Sequence, residues 1–233
     1  MLGQQFGVKA VVGSFHILAR SAVAALVMTL ALPVQAGGSG FEAEVLAEIN
    51  RLRADPVAYA DVLREYRTRI RGKVVFDAED NLVEISNEGV RAVDEAIAAL
   101  EGAAPLPRLL AGDVLAIAAA DHASYQAATG EIGHQSAGRG PGERVMARGG
   151  GRFVSEVISY GQRTAEDVVR QLLVDDGVPS RGHRHLLLTG HYRFAGVGCG
   201  GHARWQAMCV VKLADQPDGS PPLPPVRLAQ AAH

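Results

Sequence analysis

Four short stretches of the chain carry side chains able to move protons, hold a cation or attack a carbonyl. Gly133-His134-Gln135-Ser136 offers an imidazole two residues before a hydroxyl. Ser155-Glu156 places a carboxylate inside the apolar run FVSEVISYG, and Asp175-Asp176 sets two carboxylates at the end of a helical pattern. Gly182-His183-Arg184-His185 adds two further imidazoles. Two imidazoles with two carboxylates suit Zn2+ and are acceptable to Mg2+ or Mn2+. The same groups can instead close a hydrogen-bonded network that rigidifies a cleft without metal. A histidine with a carboxylate partner could also activate water or Ser136. The chain contains neither Gly-x-Ser-x-Gly nor His-Glu-x-x-His, so no residue is assigned as catalytic.

Each stretch has a plainer reading. A carboxylate in an alternating strand such as that of Glu156 usually faces solvent; turned inward, it needs a cation or donors. His134, just past a helix end, can serve as a cation at the helix C-terminus. Asp175 and Asp176 lie where the helix dipole disfavours negative charge, and such a local conflict asks for a compensating partner. Asp-Asp-Gly turn chemistry is one compensation, and a cation or protonated histidine is another. Glu143 in Pro-Gly-Glu-Arg reads as a structural carboxylate at the start of a short helix.

The elements that must position these groups follow from periodicity. FEAEVLAEINRLRADP (41–56) repeats apolar residues at helical spacing and stops at Pro56. The next helix, 56–70, places Tyr59, Val62, Leu63 and Tyr66 on one stripe. VVF (74–76) and LVEI (82–85) flank a turn and predict a small hairpin, and a helix is expected over Glu88–Leu100. GAAPLP (102–107) reads as a linker. The alanine-rich helix 114–130 gathers Leu115, Ala118, Ala119, His122, Ala123 and Gln126 on one face, with Asp113 as its cap and Gly130 as its stop. A Gly/Arg-rich loop (138–151) precedes the strand FVSEVISYG (153–161). Thr164 caps a further helix to about Val174. Two late strands contain Cys199 and Cys209. Helices first and strands late favour an α+β class over an alternating parallel sheet.

The chain has 233 residues and a net charge of −2. Residues 1–36 read as a secretory signal peptide. Lys9 and Arg20 precede an uncharged apolar run (21–32), Pro33, and small residues ending at Ala36. Twelve apolar residues in a helix rise about 18 Å, short of a ~30 Å hydrocarbon core. Membrane attachment is therefore expected only through an uncleaved leader, and a secreted or periplasmic location after cleavage at Ala36. The mature chain, at about −4 without Lys9 and Arg20, presents no basic face for nucleic acid. A hairpin centred near Arg204 would set Cys199 opposite Cys209, which in an oxidising compartment reads as a disulfide rather than two free thiols. The Pro-rich stretch 215–233 reads as a disordered tail. His185, His191 and His202 read as surface residues.

Several of these pieces occur together in a recognisable order. They are His134-x-Ser136, Glu156 with Tyr160-Gly161 behind it, AEDVVRQLLVDDGVPSRGHR, and Ala195-Gly196-Val197-Gly198. This set resembles the CAP superfamily, or SCP domain, of cysteine-rich secretory proteins, antigen 5 and pathogenesis-related 1. EINRLRADPVAYA is similar to the opening helix of its bacterial members, and the resemblance spans 42–214. It implies one domain over 37–214, an α–β–α sandwich with a small antiparallel sheet between helical layers. It also implies a cleft tetrad of His134, Glu156, Asp175 and His183, with Asp176 a competitor for the second acid. A divalent cation, Zn or Mg, is the cofactor that such a tetrad would hold. The implied role is a binding module for a small-molecule, lipid or cell-envelope ligand; the second reading is a metal-dependent hydrolase of envelope or extracellular material. Ser155-Glu156-Val157 stands where the family carries Gly-Glu-Asn, and Asp175 is one methylene shorter than the usual Glu.

Overall fold

A computed structural model describes residues 40–222. The leader expected at 1–36 and the last part of the Pro-rich stretch lie outside the described residues.

Within the described residues, seven helices and seven strands follow in the order α1 (Gly40–Ala54), α2 (Pro56–Thr68), β1 (Ile70–Arg71), β2 (Val74–Phe76), β3 (Leu82–Ile85), α3 (Val90–Glu101), β4 (Leu110–Ala111), α4 (Asp113–Thr129), α5 (Pro141–Met146), β5 (Ser155–Tyr160), α6 (Ala165–Val174), α7 (Gly182–Leu187), β6 (Phe194–His202) and β7 (Gln206–Ala214). The main sheet runs β4-β6-β7-β5, antiparallel except where β4 lies parallel to β6. β1, β2 and β3 form a separate antiparallel sheet that includes the expected hairpin.

Strand alternation builds the layers. Ala195, Val197 and Cys199 of β6, with Cys209, Val211 and Leu213 of β7, share one core cluster with Val45 and Ile49 of α1 and Val168 and Leu172 of α6. The opposite face carries Ile158, Met208 and Val210, packed on Ala119 and Ala123 of α4. The result is the expected α–β–α sandwich, and it fixes a parity. Glu156 and Lys212 share the even parity of Ile158, Met208 and Val210, so both point into the layer beneath α4.

That layer is tight because β6 is glycine-rich. A Cβ on Gly196 would sit 2.1 Å from the Ala116 backbone nitrogen, and one on Gly198 2.2 Å from that of Ala120. The six residues expected on one face of α4 are its buried residues. Asp113 lies in the first turn of α4, with Gly112 at the cap. Arg53, fully buried on α1, donates to the carbonyls of Pro107, Leu187 and Thr189, and so ties the 102–107 linker to the end of α7.

Two expectations change, and the segment after Gly182, to which the sequence assigns no element, forms α7. His202 is buried, not superficial: its Nδ1 accepts the backbone N–H groups of Arg204 and Trp205 and shapes the β6–β7 turn. The beginning of the Pro-rich stretch is docked. The Asp218 and Gly219 carbonyls accept from Gly151 and Phe153, because the Gly/Arg-rich loop has no other strand to satisfy its N–H groups.

Candidate functional site

Glu156 is the centre of the arrangement under α4. Register sets it directly across from Lys212, β5 against β7. The Lys212 ammonium, fully buried, lies 2.7 Å from Glu156 Oε2 and also donates to the Pro141 carbonyl. Arg144 of α5 donates from Nη2 to both carboxylate oxygens, at 2.8 and 2.6 Å. Its Nη1 reaches the carbonyls of His134 and Arg139, so one guanidinium holds both the loop after α4 and the carboxylate. His134 Nδ1 lies 2.9 Å from Glu156 Oε1. Burial alone would raise the Glu156 carboxyl, but His134, Lys212 and Arg144 outweigh it and hold the pKa at about 2. Burial pushes Lys212 down from its ordinary value, with Glu156 opposing.

Behind this cluster His122 is fully buried on α4. Its Nδ1 lies 2.5 Å from Ser136 Oγ, and its Nε2 faces the Gly133 carbonyl at 2.8 Å. The carbonyl requires a proton on Nε2, so Nδ1 accepts from the Ser136 hydroxyl. Histidine beside serine is the geometry of an activated nucleophile. Here, however, burial depresses the imidazole, with the Glu156 charge opposing and Arg144 adding to the depression, so it resists taking the hydroxyl proton. Gln126 completes the network through Gly133 O and Tyr160.

The second pair lies on the loop from α6 to α7. Asp175 caps α6 in the left-handed region (φ 53°), and this turns its carboxylate toward α7. Oδ2 accepts the His183 backbone N–H at 2.9 Å, and Oδ1 lies 2.7 Å from His183 Nδ1. Asp175 thus closes one helix and caps the first turn of the next, which resolves its conflict with the α6 dipole. Asp176 does different work: it accepts the N–H groups of Asn87 and Glu88 and fastens the segment before α3. Glu143 accepts the Gly140 N–H at 2.6 Å at the start of α5.

The four tetrad residues therefore form two pairs, His134–Glu156 and Asp175–His183. No hydrogen bond joins them, and among the described residues no three His, Cys, Asp or Glu side chains gather as a metal-holding group. The donor chemistry explains why. Both oxygens of Glu156 already accept from cations, and a divalent ion on this carboxylate would have to displace Arg144 or the Lys212 ammonium. Each acid engages the Nδ1 of its own histidine, and the four side chains do not gather as one ligand set. Sequence reasoning does not mark Lys212, Arg144 or His122 as site residues. A signal for Lys212 is nonetheless present: a lysine flanked by apolar residues on both sides in CVVKLA.

Cys199 and Cys209 are paired residues across β6 and β7 and are bonded as a disulfide. The sequence matches the cysteine-rich secretory protein (CAP) family over residues 46–213. The chain belongs to the CAP family. Two solved structures resemble this CAP domain. One is an outer surface protein from Borrelia burgdorferi, with TM-score 0.39 and 21% identity, over 46% of this chain and 77% of that one. The other is an extracellular protein containing a SCP domain from Bacillus anthracis, with TM-score 0.38 and 23% identity, over 46% of this chain and 34% of that one. No curated protein matches the chain.

Proposed function

We propose that the chain is an exported, extracellular CAP-type binding module whose polar centre is structural. The observation that carries this reading is the state of Glu156. A general base or metal ligand needs a free lone pair at a reachable carboxylate, whereas this one is almost completely buried and saturated by Lys212, Arg144 and His134. Asp175 is engaged instead by the backbone N–H and ring of His183. The leader-like residues 1–36 support export, and no helix among the described residues is long and apolar enough to cross a membrane.

The test compares wild type with Glu156→Gln on ester, peptide and peptidoglycan substrates, with and without chelator. The binding reading expects no turnover above blank from either protein. Turnover by wild type that chelator and Glu156→Gln both abolish would establish the hydrolase instead.

A further inference from the structure

We propose that the groove between the β1–β3 sheet and the β6–β7 turn is a carbohydrate-binding site, with Trp205, Phe76 and Tyr66 as its stacking surfaces and Glu84 and Gln162 as its hydroxyl partners. This site touches the polar network only at Tyr160 and does not depend on how that centre is read.

The groove is about 470 Å³, within the range of ligand sites. Four aromatic residues line it from four separate segments: Tyr66 from α2, Phe76 from β2, Tyr160 from the end of β5 and Trp205 from the β6–β7 turn; the Tyr160 hydroxyl is already engaged with Gln126 and Gly133. The chain has one tryptophan and a low aromatic content, so their convergence is not a consequence of abundance. Trp205 is 41% exposed and is not part of the core. A guanidinium lies over one face of each ring and holds it in place: Arg204 over Trp205 at 4.9 Å, Arg71 over Phe76 at 4.7 Å, and Arg170, itself part of the lining, over Tyr66 at 4.3 Å.

The polar lining divides into groups already used and groups still open. Asp167 is paired with Arg170, Arg163 with Gln206, and Asp77 closes its own turn through Asn81. Glu84 and Gln162, both partly buried, receive and give no side-chain hydrogen bond among the described residues. One free carboxylate and one free amide, beside apolar ring faces, provide acceptors and a donor for a ligand that is both hydroxylated and flat-faced.

Charge then selects among such ligands. Arg69, Arg163 and Arg170 face Asp77, Glu84 and Asp167, so the lining is balanced. A polyanion such as single-stranded nucleic acid needs a positively charged groove behind its stacking rings. An acyl chain or sterol would strip water from Glu84 and Gln162 and return no hydrogen bond. A neutral sugar ring meets both demands, its C–H face on the aromatics and its hydroxyls on the open polar groups.

The sole tryptophan gives a direct readout. The purified chain is titrated with N-acetylglucosamine, glucose and galactose tetrasaccharides to roughly 10 mM, a range that captures millimolar sites. We expect a saturable change in Trp205 emission with at least one of them. By calorimetry, Trp205→Phe should keep that binding, while Trp205→Ala and Glu84→Ala should each weaken it at least tenfold with melting temperature unchanged. No saturable response to any of the three would overturn the proposal. A response only to an anionic ligand, strengthened by Glu84→Gln, would overturn it equally.

Discussion

Lys212 is the residue on which the polar centre turns. It sits in a strand, fully buried, with its charge opposite Glu156. Removing one member of a buried ion pair leaves the other desolvated and unpaired, which costs about 3–5 kcal/mol. Lys212→Ala should therefore destabilise by about that amount in denaturant unfolding, and adding Glu156→Gln to it should recover part of the loss. A loss below about 1 kcal/mol would mean that Arg144 alone satisfies the carboxylate. The same pair sets the acid response. The folded pKa of Glu156, about 2, lies below its ordinary 4.5, so between those values the unfolded state binds more protons. The stabilisation is complete above pH 4.5 and is lost as pH falls toward 2. Melting temperature against pH should show this limb in wild type and lose it in Glu156→Gln. His122 adds an earlier onset: burial lowers its pKa below 6.5, so stability begins to erode as pH drops past that value.

At the scale of elements, the contact of α4 with β6 is set by what β6 lacks. Gly198 presents its Cα to the α4 backbone at a distance that leaves no room for a methyl group. Gly198→Ala should force α4 away from the sheet and cost about 1–3 kcal/mol as an overpacking change. A neutral result in thermal unfolding would show that α4 can shift freely. Most elements were legible because their signals are local. The six buried residues of α4, the Thr164 cap and the 74–85 hairpin all follow from period, caps and turn residues. α7 was not legible: Arg181 starts it in the left-handed region with no side-chain cap of its own. Its first turn is satisfied from Asp175, eight residues before His183. The short β1 and β4 strands were equally hidden, because two residues carry no period.

At the scale of the whole molecule, the same contrast governs the site. Sequence order located His134, Glu156, Asp175 and His183, and each does contact an acid or base partner. It could not locate Lys212, whose role exists only through the register of β5 on β7 and the parity that turns both residues toward α4. A tetrad inferred from four positions thus becomes two pairs, one neutralised by internal cations and one engaged in capping. On the function proposed above, these internal cations take the place a metal would fill. Thermal unfolding of the metal-stripped chain, repeated with about 1 mM Zn2+ or Mg2+, tests it most directly, since any ion binding the folded state raises its melting temperature by mass action. The same melting temperature with and without either ion is expected. A rise of several degrees that His134→Ala or His183→Ala removes would contradict it.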